Sequence, residues 1–270
     1  MPLCLPETRT CRDAPALRLF CFPYAGGGAA VFRGWQAMLP PELEVCIIEL
    51  PGRGRRINEP LLHSMPAIIC DLKRQLLPML DRPFAFIGHS LGGLVAFELC
   101  HMLQNGGWPQ PSCLFASACA APQVGDVSTP IHNLPDAEFH AAIGNLGATP
   151  TEILNNKALM EFFSPIVRAD FTVVETYQYV ARSPLATPIF ALVGDRDNLV
   201  PIERVAGWGD CTKAGFEVHV MSGDHFMLFS GLDVALGIVV EKLLRHLTPA
   251  AQPCDTDISL VAGVPPTLLG

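Results

Sequence analysis

The sequence predicts an α/β fold, in which a mostly parallel sheet is flanked by helices. Short apolar runs alternate with segments of helical spacing, a pattern typical of strands that crossover helices bury on both faces. The alternation stops after Pro122 and resumes at Pro188. Half of the 270 residues are hydrophobic and 16% are charged, so the chain can bury a large core and is not globally disordered.

In the first half of the chain, the predicted strands end at turn residues. The apolar run 19–22 leads into a loop with consecutive glycines at 26–28, which let the backbone approach a neighbouring segment closely. Pro51 and Gly52 close the run 44–50, and Gly88 closes the run 83–87. Apolar residues at helical spacing predict the elements between and after these strands, around 31–39, within 61–80 and at 91–104.

In the second half, a helical insertion interrupts the core. Strand patterns occur at 113–121, 188–193 and 216–221, and a final helix is predicted at 233–247. The intervening stretch has no clear strand and three helical patterns, at 135–145, 151–163 and 165–181. We therefore expect an α/β core formed by 17–122 and 182–247 with a helical insertion at 123–181. Residues 1–16 are expected to form an N-terminal arm, and the proline-containing residues 248–270 a flexible C-terminal tail.

Charge and cysteine usage restrict the compartment and the partners. The formal net charge is −8 and no basic run occurs, so nucleic-acid binding is not expected. No stretch approaches the roughly 18 uninterrupted apolar residues of a membrane span, and prolines and charges interrupt the N-terminus, so no signal peptide is evident. The ten cysteines have no CxxC spacing, and several lie in apolar runs. These features predict a cytoplasmic protein, which we expect to be a monomer.

The strongest local signal is the pentapeptide Gly-His-Ser-Leu-Gly at 88–92, which matches GxSxG. The pentapeptide alone is a weak signal, but here it follows a strand pattern and opens a helix pattern, as the nucleophile elbow of an α/β-hydrolase fold requires. The serine backbone is strained in so tight a turn, so the residues two before and two after it must be small. Gly88 and Gly92 meet this requirement. Ser90 is therefore the candidate nucleophile, the alternative being a serine in an ordinary turn.

A serine hydroxyl is a poor nucleophile at neutral pH, and it needs a histidine base oriented by a carboxylate. In this fold the acid follows a late strand and the histidine follows the last one. His225 comes after the pattern at 216–221 and is the predicted base. Asp195 and Asp197 both follow the pattern at 188–193. We favour Asp197, which lies further past the strand end, and expect Asp195 to bond the backbone of its own loop.

An oxyanion hole needs two backbone N–H groups. Leu91 supplies one, because it follows the nucleophile at a helix N-terminus. The second is expected from the loop after the first strand. Pro23 has no N–H, so Tyr24 or Ala25 is the donor, and we favour Ala25. Metal chemistry is not expected, because the histidines are scattered and neither HExxH nor a Cys/His cluster occurs.

Four motifs together resemble one family. They are Phe-Pro-Tyr-Ala-Gly-Gly at 22–27, Leu-Pro-Gly-Arg-Gly-Arg at 50–55, the elbow at 88–92, and Arg-Ala-Asp-Phe at 168–171 with Glu-Thr-Tyr at 175–177. In combination they resemble the type II thioesterases, discrete editing enzymes of nonribosomal peptide and polyketide synthases, over residues 17–247. The resemblance implies hydrolysis of acyl groups from the phosphopantetheine arm of an acyl or peptidyl carrier protein. It implies no cofactor, since the phosphopantetheine belongs to the partner.

The resemblance also implies roles for individual segments. It assigns Ser90, Asp197 and His225 to a catalytic triad and makes 123–181 a helical lid over an acyl pocket. Residues 168–171 then lie in the last lid helix. Two roles for them remain open, namely contact with the substrate and a purely structural role as an anchor of the helix. Three competing interpretations remain. The first is a chain-terminating acyl-carrier-protein thioesterase of fatty acid synthesis for medium or long chains. The others are a carboxylesterase, although the HGGG motif is missing, and a non-catalytic hydrolase-like binding module.

Overall fold

A six-stranded parallel sheet is the centre of the computed structural model, which describes residues 15–125, 129–147, 149 and 151–247. Its strands are β1 (Leu17–Phe22), β2 (Leu43–Ile47), β3 (Phe84–His89), β4 (Leu114–Ser117), β5 (Ile189–Gly194) and β6 (Phe216–Met221). Their order in the sheet is β2-β1-β3-β4-β5-β6, and every neighbouring pair is parallel. The mostly parallel α/β sheet expected from the sequence is therefore confirmed. All but the last two residues of the expected arm, and the whole expected tail, lie outside the described residues.

The central strands are apolar on both sides because helices cover both faces of the sheet, whereas the edge strand β6 is mostly exposed or half-buried. Every residue of β3 and β5 is buried, as expected for strands at the centre of an α/β sheet. On one face, Phe20 and Phe86 pack against α2 (Met65–Leu76) and α3 (Leu91–Asn105). On the other, Leu19 and Ile87 pack with α1 (Trp35–Met38), α7 (Met227–Ser230) and α8 (Leu232–Leu247).

The segment between β4 and β5 forms a separate helical layer. It contains α4 (Asp136–Asn145), α5 (Thr151–Leu154) and α6 (Lys157–Glu175). These helices share a small apolar core of buried residues, Phe139, Ile143, Met160 and Val167. The helix boundary expected near Pro165 is wrong, because α6 runs through this proline. A proline inside a helix removes one backbone hydrogen bond, and here the buried face of α6 on both sides of it keeps the helix continuous.

The parallel arrangement determines where the candidate site lies. The loops after β1, β3, β5 and β6 all leave the sheet at the carboxyl ends of their strands, where ligands of open α/β sheets bind. These loops carry the residues singled out in the sequence. In the described part of the chain, no helix is long and apolar enough to cross a membrane.

Candidate active site

Ser90 lies at a sharp turn between β3 and α3. Its backbone has φ 55° and ψ −119°, a conformation that residues with side chains rarely adopt. A Cβ atom on Gly88 would lie 2.1 Å from the carbonyl oxygen of Gly92, and one on Gly92 would lie 2.2 Å from that of Phe22. The Ser90 N–H donates to the Ser117 carbonyl at 2.8 Å. The turn therefore has the geometry of a nucleophile elbow and needs both glycines.

His225 and Asp197 are hydrogen-bonded to each other at the ends of β6 and β5. His225 Nδ1 lies 2.9 Å from Asp197 Oδ2, and both residues are buried. The other carboxylate oxygen, Oδ1, accepts the N–H groups of Leu199 and Val200, each at 2.9 Å. Burial alone would raise the pKa of the Asp197 carboxyl, but the hydrogen bond and charge of His225 and the two N–H groups outweigh it and lower the pKa. The ionised carboxylate is thus favoured beside the imidazole.

Asp195 has a different environment. Its side chain is 43% exposed, and its Oδ1 accepts the N–H of Gly223 at 2.8 Å. The expectation that Asp195 bonds its own loop is wrong, because Gly223 belongs to the loop after β6. The bond crosses to that loop because β5 and β6 are adjacent and end at the same edge of the sheet. Asp195 therefore stabilises the loop that carries His225, and among the described hydrogen bonds none joins it to the imidazole.

His89, which precedes Ser90, lies beside the candidate base. The two histidine rings have centroids 5.3 Å apart, and the rings of Tyr24, Phe226 and Phe229 surround His89. Burial, followed by the charge of His225, holds the pKa of His89 well below its ordinary value. His89 is therefore neutral at pH 7 and places no second positive charge beside a protonated His225. No pattern in the sequence indicated that the aromatic rings of Tyr24, Phe226 and Phe229 would pack around His89.

Ser90 Oγ has no hydrogen bond to His225 among the described contacts. Catalytic hydrogen bonds are often long in unliganded hydrolases and shorten when substrate binds, so the arrangement is compatible with proton transfer. The described residues contain no group of three or more His, Cys, Asp or Glu side chains that could hold a metal ion.

The loop after β1, residues 23–28, is called the oxyanion loop below. The Gly27 N–H donates to the Tyr24 carbonyl at 2.8 Å, which closes a turn with Ala25 and Gly26 at its corner. Gly26 has φ +78°, as the third residue of a type II turn requires. Among the described hydrogen bonds, none uses the N–H of Tyr24, Ala25 or Leu91. These N–H groups therefore have no described protein acceptor, and their role as oxyanion donors stays a prediction.

Asp170 connects α6 to the oxyanion loop. Its Oδ2 accepts the Gly26 N–H at 2.7 Å, and its carboxylate forms a two-pronged ion pair with Arg53 at 2.6 and 2.8 Å. Arg53 also donates to the Gly27 carbonyl at 3.1 Å. Asp170 is 1% exposed, so its carboxylate is occupied by the protein itself. The sequence left the role of the motif at 168–171 open between substrate contact and a structural anchor. The contacts of Asp170 are structural, because they join α6 to the oxyanion loop.

Two further charges of α6 hold the start of the helical layer. Arg168 donates to the carbonyls of His132 and Leu134 at 2.6 and 2.8 Å. Glu175 accepts the N–H groups of Ile131 and His132 at 2.9 and 3.0 Å. The charged motif residues of α6 therefore make structural contacts on two sides of the helix.

Comparisons with known proteins agree with this architecture. A family model described as "Thioesterase domain" matches residues 17–247. The gramicidin S biosynthesis protein GrsT of Aneurinibacillus migulanus is 38% identical over 88% of this chain and 93% of its own. The crystal structure of ClbQ, from the colibactin NRPS/PKS pathway, has TM-score 0.81 and 34% identity, covering 85% of this chain and 97% of that one. YbtT, a type II thioesterase of the yersiniabactin NRPS/PKS pathway, has TM-score 0.81 and 29% identity, covering 91% and 100%.

A relative from fatty acid synthesis is less similar. The medium-chain S-acyl fatty acid synthase thioesterase of Rattus norvegicus is 31% identical over 78% of this chain and 81% of its own.

Proposed function

The chain belongs to the thioesterase family, and we propose that it is a type II enzyme that hydrolyses acyl groups from the phosphopantetheine arm of carrier proteins. The observation that carries this proposal is the hydrogen bond between His225 and Asp197, together with the elbow geometry at Ser90, whose neighbour His89 has its ring centroid 5.3 Å from that of His225. Ser90, Asp197 and His225 are proposed as the triad. Ala25 and Leu91 are proposed as the oxyanion donors, because their N–H groups are unused by the described hydrogen bonds and lie next to the elbow or in the oxyanion loop.

The proposed reaction proceeds in two steps. His225 Nε2 accepts the Ser90 proton as Oγ attacks the thioester carbonyl, and the Ala25 and Leu91 amides stabilise the resulting oxyanion. The C–S bond then breaks, and the imidazolium returns its proton to the phosphopantetheine thiolate. Water, activated by His225, attacks the acyl-enzyme and releases the carboxylic acid with Ser90 restored. Asp197 keeps the Nδ1 proton on the imidazole throughout. These groups complete the cycle without a cofactor.

An editing role on a nonribosomal peptide or polyketide synthase is the favoured setting. ClbQ and YbtT are described as proteins of NRPS/PKS pathways, and GrsT is named for gramicidin S biosynthesis. The relative from fatty acid synthesis has a lower identity over less of this chain than GrsT or ClbQ. The partner is then an acyl or peptidyl carrier protein. We place this enzyme in the cytoplasm, where carrier-bound intermediates are made, and expect it to act as a monomer.

The helical layer is proposed to act as a lid. The core would comprise 17–122 and 182–247, and the insertion 123–181 would cover the acyl pocket. Its support is the position of α6, which packs on the oxyanion loop through Val167 and Phe163.

The proposal is tested with acyl groups of different length on phosphopantetheinylated carrier protein. We expect release of short acyl groups such as acetyl and propionyl, and loss of all release in Ser90→Ala, with a fall of about 10⁴-fold or more. Circular dichroism of Ser90→Ala checks that folding is intact. A preference for medium or long acyl chains over these short ones would favour fatty acid termination. Retention of more than a tenth of the activity in Ser90→Ala would refute serine catalysis, and failure of the wild type to react with a fluorophosphonate would favour a binding module.

A further inference from the structure

The geometry points to Asp170, held by Arg53, as a positioning residue that sets the oxyanion hole from within the helical layer. This inference rests on the proposed function, since it assumes that the Ala25 N–H receives the oxyanion. According to this inference, an ion pair between two residues 117 positions apart in the sequence affects the rate of the reaction, because it positions the Ala25 N–H. Neither side chain is proposed to touch substrate.

The contacts fix three peptide groups of the oxyanion loop. The Tyr24 carbonyl is held by the Gly27 N–H at 2.8 Å, the Gly26 N–H by Asp170 Oδ2 at 2.7 Å, and the Gly27 carbonyl by Arg53 at 3.1 Å. In a trans peptide the N–H points away from the carbonyl. Because the Tyr24 carbonyl points into the turn, the Ala25 N–H of the same peptide points out of it. Asp170 also occupies the next amide, which leaves Ala25 as the free donor at the corner of the turn.

The helix α6 is pressed against the same loop. A Cβ atom on Gly26 would lie 2.9 Å from Val167 Cγ2 and 3.2 Å from Phe163 Cζ. Asp170 is one turn further along this helix than Val167, so the apolar contact and the charged contact hold the loop together. The oxyanion loop therefore has its described geometry only while α6 is in place.

The negative charge of Asp170 strengthens its hydrogen bond with the Gly26 N–H. A hydrogen bond from an N–H to a carboxylate is shorter and stronger than one between neutral groups. The Arg53 and Asp170 side chains are 7% and 1% exposed, so water does not compete for either. Arg53 neutralises the carboxylate and, with its two-pronged grip, orients Oδ2 toward Gly26.

Four variants separate positioning from stability. Asp170→Ala removes the carboxylate but leaves Arg53 buried without a partner. Asp170→Asn keeps the size of the side chain and a single carbonyl acceptor. The double variant Arg53→Met/Asp170→Leu removes both charges, so it leaves no unpaired buried charge to destabilise the fold. The matched control is Arg168→Met, which breaks the ion pair between Arg168 of the same helix and Asp136. None of the described hydrogen bonds of Arg168 reaches the oxyanion loop.

Each variant is assayed with an acyl-pantetheine thioester. It is also tested for binding of a trifluoromethyl ketone analogue, whose adduct with Ser90 carries an oxyanion, and of a non-reactive acyl-pantetheine thioether. Loss of one oxyanion donor costs about 10²- to 10³-fold in kcat. We expect kcat to fall between about 10- and 1000-fold in Asp170→Ala and in the double variant, with an intermediate fall in Asp170→Asn. Affinity for the ketone should fall in parallel, while KM and thioether affinity stay within about threefold of the wild type.

The double variant and the control decide the outcome. If Arg53→Met/Asp170→Leu is as stable as the wild type and still slow, the pair positions the oxyanion hole. The inference is overturned if that variant has wild-type kcat, if only KM changes, or if Arg168→Met is equally slow. Failure of the proposed function is a separate result, because Ser90→Ala would then stay active or the wild type would resist the fluorophosphonate.

Discussion

Replacing Asp197 by asparagine should reduce kcat by about 10⁴-fold, or about 5.5 kcal/mol of transition-state stabilisation. The structure dictates how the asparagine is oriented. Oδ1 of Asp197 accepts two backbone N–H groups, and Oδ2 faces His225 Nδ1 at 2.9 Å. An asparagine keeps its carbonyl toward the two N–H groups, so its NH₂ faces the imidazole. His225 then favours the tautomer that carries its proton on Nε2, the atom that must accept the Ser90 proton.

Asp195→Asn is the matched control, since it makes the same chemical change two residues away. The Asp195 carboxylate is partly exposed and accepts only the Gly223 N–H among the described hydrogen bonds, and an asparagine carbonyl can accept it as well. We expect kcat within about threefold of the wild type, because the imidazole keeps its partner. Thermal unfolding of both variants shows whether the fold is retained.

Thiol release from an acyl-pantetheine thioester measures kcat for both variants. Cys70 is exposed and free, so a blank with enzyme and no substrate corrects for its reaction with the thiol reagent. Retention of more than a tenth of the wild-type kcat in Asp197→Asn would refute the tautomer argument. A larger loss in Asp195→Asn than in Asp197→Asn would show that the wrong carboxylate was chosen.

Three further predictions concern the elbow, acid stability and the helical layer. Gly88→Ala should destabilise the protein by about 3 kcal/mol, because its Cβ would lie 2.1 Å from a backbone oxygen. Gly237→Ala, which has open space around its Cβ, should stabilise α8 by up to about 1 kcal/mol. Equal urea unfolding midpoints for the two variants would contradict this prediction. The lowered pKa of Asp197 means that its carboxylate stabilises the fold above the ordinary value of about 3.9, and that this stability is lost as the pH falls through the lower folded-state pKa. The wild type should therefore lose more unfolding free energy than Asp197→Asn between pH 7 and pH 3, and parallel losses would argue against it. In hydrogen exchange, the amides of α4 should exchange faster than those of α6 and become protected when a non-hydrolysable acyl-pantetheine analogue binds. If α4 is as protected as the sheet and the analogue does not change its protection, a mobile lid is excluded.

Most of the core could be predicted from the sequence because its signals are local. Strands buried on both faces appear as continuous apolar runs, as β3 and β5 do, and each of the six predicted strand segments corresponds to a strand of the sheet. The edge strand β6 has a mixed polar and apolar sequence and exposed residues. The elbow was recognisable because steric crowding around Ser90 forces glycine at fixed spacing, and the backbone contacts of Gly88 and Gly92 give that reason directly.

The helical layer was less predictable because tertiary contacts override its local signals. Pro165 normally disfavours a helix interior, yet α6 continues past it with Ile166, Val167 and Asp170 buried on the far side. Asp195 was misjudged for a similar reason. A side chain at a strand end can reach the next loop across the sheet edge, and periodicity along one chain contains no information about that neighbour.

The ion pair between Arg53 and Asp170 joins three motifs that the sequence presented as separate. Gly26 and Gly27 lie in the motif at 22–27, Arg53 in that at 50–55 and Asp170 in that at 168–171, and their hydrogen bonds form one unit around the oxyanion loop. None of these residues belongs to the proposed triad, so GxSxG alone could not indicate them. Because α6 holds the oxyanion loop through Asp170, it cannot move away without releasing that loop. Movement of the proposed lid should therefore be confined to the part before α6.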